Sequence, residues 1–334
     1  MDGFDAGDYL IKGWAASSMN TGNASPATRF GSGRWASNPG NGYQLSASRY
    51  LGANIAVTSY IGFAVAHNSV DNTQGPVIFL YGDSGTVNHI QIRLFANSIT
   101  VYRGGTLIAS GVISMSQNIF GYIEIATLVA DAGGSLIIRF NGVEVINFSG
   151  DTRNGGTLAG IDTLGLGCSS VGTSIVYIDD MYVLDSTGSA PYNNFLGDVR
   201  VYMLNPTGAG TNTQWAPDTG SNYARVNEVP YSAANYVQSG TSGQRDTYTM
   251  ADLPGSGMGT IYGVQTNIIA KKTDAGSIAI KPTIISGGTT YYGTAKLLAT
   301  NDTIISDIRT QDPNTSSSWT TAGVNALEAG MEVA

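Results

Sequence analysis

Between residues 90 and 146 the chain repeatedly alternates hydrophobic and polar positions with a period of two. That spacing puts successive side chains on opposite faces of a strand. Ile90, Ile92 and Leu94 share one face, and Gln91 and Arg93 share the other. Residues 99–103 and 106–109 flank Gly104-Gly105, and residues 136–140 and 143–146 flank Asn141-Gly142. Both dipeptides accept positive φ at two successive positions, so each predicts a two-residue hairpin whose twist matches its strands. Residues 122–126 read as a further strand, ended by the turn at 131–134, and residues 175–184 as a long strand closing the first half. Turns recur at roughly the 8–12-residue spacing of an antiparallel sandwich.

Residues 185–191 are small and polar and end in Pro191, the pattern of a boundary between domains. Beyond it, Val199, Val201 and Met203 alternate with Arg200 and Tyr202 and predict a strand. Residues 206–220 are turn-rich around Trp215, and strands are predicted again at 248–250, 261–270, 277–285, 289–298 and 303–309. Residues 271–276 and Gly287-Gly288 read as hairpin turns, and the tail at 325–330 as one helical turn at most. No short repeat is present, which argues against solenoids and propellers. The predicted fold class is all-β: two antiparallel, jelly-roll-like β-sandwiches in tandem, residues 1–187 and 188–334.

Composition sharpens this. Charged residues make up 12% of the 334, about half the usual share. Five Lys and five Glu are too few to dress several long amphipathic helices. The net charge of −8 is split −5 and −3 about residue 187, with no basic block, so no nucleic-acid partner is expected. Lys271-Lys272 reads as a solvated strand end. No apolar run reaches the roughly 18 residues of a membrane span. The acidic start at Met1-Asp2 differs from a signal peptide, so a soluble chain without export signal is expected. One cysteine, Cys168, excludes an intramolecular disulfide and reads as a small buried hydrophobe. With His67 and His89 it is too little for a zinc site. Asp2, Asp5 and Asp8 show no ligand spacing. Asp179 and Asp180, as strand neighbours, should face opposite ways, one to solvent and one to a turn. Neither a metal nor a cofactor is expected.

Residues 137–145, a strand–Asn-Gly–strand hairpin, and residues 177–183, containing Ile178-Asp179-Asp180, occur in an order that resembles the laminin-G-like or concanavalin A-like lectin sandwich. The resemblance covers residues 1–187, with Gly3-Phe4-Asp5 matching the start of a first strand. It implies a lectin-type sandwich, and some relatives are glycoside hydrolases. Glycoside hydrolysis needs two carboxyls flanking the bond, and no E-x-D-x-x-E pattern supplies them here. Glu124 and Glu144 alternate with Ile and Val and read as solvent-face residues. No G-x-S-x-G elbow is present either. The chain is therefore expected to be no enzyme, with no catalytic residue. For a sugar contact by aromatic stacking, Trp35 in the Gly/Ser stretch at 31–35 is the candidate, while Trp14 reads as core.

Residues 195–208, 213–217 and 226–230 resemble a stretch found in virion proteins of tailed bacteriophages, where it follows a laminin-G-like domain. This implies a structural virion component, assembled in the host cytoplasm, that works as a homo-oligomer, a trimer being compatible. Its partners would be other virion subunits and a host-surface glycan. A tail fibre or adhesin is the leading placement. A capsid decoration protein, or a carbohydrate-binding module without a virion role, are the alternatives.

Overall fold

The alternating segments of the first half become strands, and their period of two decides which side chains are buried. The structure, a computed structural model, describes residues 14–16, 29, 35–37, 42–68, 71, 73, 75–170, 175–229, 231–255 and 258–334. The strands up to residue 185 are β1 (Trp14–Ala16), β2 (Trp35–Ser37), β3 (Gly42–Ile55), β4 (Ser59–His67), β5 (Gly75–Gly82), β6 (Val87–Leu94), β7 (Ser98–Arg103), β8 (Thr106–Val112), β9 (Gly121–Leu128), β10 (Gly134–Phe140), β11 (Val143–Gly150), β12 (Ile161–Ser170) and β13 (Val176–Asp185). They form a seven-stranded sheet, β1-β3-β12-β5-β6-β7-β8, and a six-stranded sheet, β11-β10-β9-β4-β13-β2. Neighbouring strands within each sheet run antiparallel, and the all-β class read from the sequence holds.

Ile78, Leu80, Ile90, Ile92, Leu164 and Leu166 of one sheet, and Ile61, Phe63, Ile123, Ile125, Leu136 and Ile138 of the other, are fully buried. Truncating any one of them to Ala costs about 2–5 kcal/mol. The hairpins fall where the turn dipeptides predict. Gly104 and Gly105 have φ of 52° and 87°, and Asn141 and Gly142 have φ of 50° and 78°. Asn141 also accepts the Tyr122 amide at 2.8 Å through Oδ1 and donates its own amide to the Tyr122 carbonyl at 2.8 Å, fixing the hairpin to β9.

The outer face of the six-stranded sheet carries Tyr60, Gly62, Ala64, Tyr122, Glu124, Arg139 and Tyr182, and the chain covers it with its own strap. Leu196 and Val199 pack on Ala64, Tyr122 and Tyr182. The Phe195 ring stands edge-on to Tyr60, with centroids 5.4 Å apart, and lies 4.3 Å from the Arg139 guanidinium carbon. The strap backbone is bonded largely to side chains: Gly197 N–H to Glu124 Oε1 at 2.8 Å, Leu196 N–H to Tyr182 Oη at 3.2 Å, and Val201 N–H to Asp180 Oδ1 at 2.8 Å. Two expectations change as a result. Val199, Val201 and Met203 form no strand, because this segment meets carboxylates and a phenol rather than a neighbouring strand. The first compact unit also runs past the polar segment at 185–191, as far as Val201. Gly62 is required under the strap: a Cβ there would lie 2.2 Å from Tyr182 Cε1, where the ring crosses β4.

Tyr202–Ala334 forms the second unit. Its strands are β14 (Pro206–Thr213), β15 (Ala216–Pro217), β16 (Val237–Gln238), β17 (Arg245–Met250), β18 (Val264–Ala270), β19 (Ala279–Ser286), β20 (Thr289–Tyr292), β21 (Lys296–Leu297), β22 (Thr303–Arg309) and β23 (Glu328–Val333), with a short 3-10 helix at Asn222–Arg225 and a short α-helix, α1 (Thr321–Asn325). A six-stranded sheet, β14-β17-β23-β19-β20 with β21 also paired to β19, is accompanied by the ribbons β15-β16 and β18-β22. Leu253, Ile284, Trp319, Val324 and Leu327 are its buried cluster, with Tyr202 and Leu204 packed against it. The Gly287-Gly288 hairpin forms as read, joining β19 to β20. The turn at 271–276 joins no hairpin, because β18 pairs with β22. The tail is no mere helical turn: after α1 it supplies β23, between β17 and β19, with buried Met331 and Val333 alternating with Glu332.

Candidate functional site

The outer face of the seven-stranded sheet combines aromatic and polar side chains in register. Leu164, Leu166, Ile78, Leu80, Ile90 and Ile92 turn inward, so their strand neighbours turn outward. One row runs Tyr50 (β3), Thr163 (β12), Tyr81 (β5). The next runs Ser48, Gly165, Phe79, Gln91 (β6), Tyr102 (β7), Leu107 (β8). A third places Val77 beside Gly167 and Arg93, with Thr100 opposite Arg93. Gly165 and Gly167 put no side chains on β12; Thr163, Val77 and Phe79 on this face are buried, whereas Tyr81, Gln91, Arg93 and Tyr102 are half-buried. Strands lie about 4.8 Å apart, so Tyr50 and Tyr81 stand about 10 Å apart, on either side of Thr163. Tyr50 is 55% exposed. Phe79 and Tyr81 stack with centroids 5.7 Å apart and planes at 21°.

The polar side chains on this face are held rather than loose. Arg93 donates to Gln91 Oε1 from Nε at 3.1 Å and from Nη2 at 2.7 Å, and its guanidinium carbon lies 3.8 Å from the Tyr102 ring centroid. Such stacking keeps a guanidinium planar and oriented. The rim near Thr163 is fixed by two aspartates that the sequence did not single out. Asp83 accepts the amides of Thr157 and Leu158 at 2.6 and 2.9 Å. Asp162 accepts those of Ser84 and Gly85 at 2.6 and 3.2 Å. His89 is the extra residue of a bulge, between the pairs Leu80–Ile90 and Tyr81–Asn88. It is fully buried, its Nδ1 accepts the Asn154 amide at 3.1 Å, and Nε2 has no partner among the described residues. Burial lowers its pKa, and Arg153 acts the same way, against the carboxylates of Asp83, Asp162 and Asp131.

The residues singled out from sequence fall elsewhere. Trp35 opens β2 in the other sheet, its backbone paired with Ile178. Trp14 starts β1, and Cys168 lies in β12, backbone-paired with Gln44 and Pro76. Asp2, Asp5 and Asp8 lie outside the described residues. Glu144 is exposed, as read. Glu124 is not: it is 2% exposed beneath the strap, where the Tyr182 hydroxyl donates to it at 2.6 Å. Asp179 and Asp180 are both buried, against the expectation that one meets solvent. A register shift between Asp179 and Tyr182 puts Asp180 at φ 52°, where it accepts from Arg29 at 2.8 Å. Trp215 and Trp319 donate their indole N–H groups to the Gln244 and Arg309 carbonyls at 3.1 and 2.9 Å. Among the described residues no three His, Cys, Asp or Glu side chains form a group that could hold a metal ion. No described helix is long and apolar enough to cross a membrane.

No protein-family model matches the chain, and no curated protein matches it. Solved structures that resemble it include the Emp47p carbohydrate recognition domain (11% identity, 51% of this chain and 87% of that one, TM-score 0.37). The alginate lyase Aly36B is 10% identical over 55% of this chain and 91% of that one, with a TM-score of 0.38. A carbohydrate esterase of the Shiga toxin-encoding bacteriophage phi24B is 13% identical over 55% of this chain and 95% of that one, with a TM-score of 0.37. The expectation that the chain is no enzyme is corrected here. Two of these neighbours are enzymes, so the lack of a glucanase motif gives no ground for excluding catalysis.

Proposed function

We propose that this chain binds carbohydrate through the outer face of its seven-stranded sheet. The observation that carries the reading is the exposed Tyr50 ring in one cross-strand row with Tyr81, which stacks on Phe79, and the Gln91–Arg93–Tyr102 group beyond them. Sugars present apolar C–H faces and a belt of hydroxyls. Planar phenols meet the first with little entropy to lose, and fixed amide and guanidinium groups meet the second. We further propose that the chain is a structural component of a tailed-phage virion, displayed as a homo-oligomer among other virion subunits. The pattern of residues 195–230 and the charge-poor composition support this reading, and a tail fibre or adhesin is the placement that uses a glycan-binding face.

A glycan array probed with the labelled full chain tests the binding, and immunogold electron microscopy of purified particles tests the location. Binding to at least one host-surface glycan class and labelling of the tail are expected. No binding across the array overturns the first reading, and absence of the chain from particles overturns the second. Labelling of the head would replace the tail placement with capsid decoration.

A further inference from the structure

In the second unit the strand register brings two cations, a carboxylate and an exposed aromatic ring into one cross-strand group. Arg245 of β17 lies opposite Glu332 of β23, which lies opposite Lys281 of β19. Tyr292 of β20 is paired with Thr283, two residues along β19 from Lys281 and on the same face. Arg245 Nε is 3.0 Å from Glu332 Oε2, and Lys281 Nζ is 3.0 Å from Glu332 Oε1. Both cations approach the Tyr292 ring, at 5.8 and 5.5 Å from its centroid. Exposure separates the groups: Glu332 is 9% exposed, whereas the cations are each 33% and Tyr292 41% exposed.

The charges do not cancel. One carboxylate serves two cations, leaving the group at +1 in a chain of −8. Arg245 turns its buried Nε toward Glu332 Oε2 at 3.0 Å, while its side chain as a whole is one-third exposed. The edge of a guanidinium that carries its two amino groups matches a carboxylate bidentately. The adjacent phenol ring provides a surface for an apolar sugar face.

We propose that Arg245, Lys281 and Tyr292 form an anionic-saccharide site on the second unit, which takes a carboxylated sugar with its ring on Tyr292 and its carboxylate on the two cations. Glu332 is the resident competitor that holds the cations in place when no ligand is bound. This site is separate from the Tyr50 face, and the two are tested independently.

The experiment is calorimetric titration of the full chain with an oligogalacturonate and with its carboxyl-reduced neutral counterpart. Wild type should bind the uronate at least tenfold more tightly than the neutral form. Tyr292→Ala and Arg245→Gln should each weaken uronate binding tenfold or more. Glu332→Gln should strengthen it severalfold, because the cations lose their internal partner, whereas a merely structural triad predicts no gain. Tyr50→Ala should leave it unchanged, so failure of the first-unit face does not register here. Thermal melts check folding, and if Arg245→Gln does not fold, exposed Tyr292→Ala decides. Equal binding of the two oligosaccharides, no uronate binding, or no effect of Tyr292→Ala overturns the proposal. Displacement of the uronate by inorganic phosphate at matched ionic strength also overturns it, in favour of a general anion site.

Discussion

At Glu124 one carboxylate oxygen takes hydrogen bonds from the Tyr182 hydroxyl at 2.6 Å and the Gly197 amide at 2.8 Å. Burial, followed by this bond, pushes the Tyr182 phenol well above its ordinary pKa, so it stays a donor. Glu124→Ala strands both donors and should cost about 3 kcal/mol, lowering the melting temperature of the first unit by about 6–12 °C. Glu124→Gln keeps an acceptor and should cost about 1 kcal/mol. An unchanged melt for the alanine variant would contradict the account. His89 supplies a pH dependence. Its folded pKa lies below the unfolded value of 6.5 because of burial. The protein therefore holds this stability above pH 6.5 and loses it as pH falls towards the folded pKa. Urea unfolding at pH 7.5 and 5.5 should show wild type losing more stability than His89→Asn, which keeps an acceptor for the Asn154 amide. Equal losses would show that His89 does not titrate on unfolding. For Glu124 the face was readable from alternation and the surroundings were not, because Tyr182 and Gly197 lie 58 and 73 positions away; His89, the extra residue of a bulge, follows no alternation, and its Asn154 partner lies 65 positions away.

Among the elements, those closed by local chemistry were legible. Asn141-Gly142, Gly104-Gly105 and Gly287-Gly288 each carry positive φ at both turn positions, and each joins strands that pair with one another. Elements whose partners are distant were not legible. The strap has the alternation of a strand, yet its amides end on Glu124, Tyr182 and Asp180. Strand β23 was hidden by its shortness and its nearness to α1, although Ala329, Met331 and Val333 keep a period of two. The strap yields a prediction of its own. In hydrogen exchange the Gly197 and Val201 amides should be protected in wild type, and Gly197 should exchange at least tenfold faster in Glu124→Ala. Fast exchange of both in wild type would show that the strap does not stay closed on the sheet.

For the whole molecule, two features of the composition acquire structural meaning. Scarcity of charge goes with sheets whose outer faces are covered by the chain itself, as beneath the strap, or carry neutral aromatic and amide groups, as on the seven-stranded sheet. Abundant glycine serves turns and the crossing of Tyr182 over Gly62. The row Tyr50, Thr163, Tyr81 was out of reach of the sequence, because it depends on β3, β12 and β5 being neighbours although β12 is far from the other two in the chain. The seven-stranded face is the central claim, and Tyr50 is its most exposed ring. The decisive measurement is the calorimetric affinity of wild type and Tyr50→Ala for the tightest-binding neutral glycan from the array. Loss of one stacking ring at the centre of a small interface is worth about 2 kcal/mol, or roughly thirtyfold in Kd. The account predicts a loss of that size with an unchanged melting temperature, and equal affinities for the two proteins would contradict it.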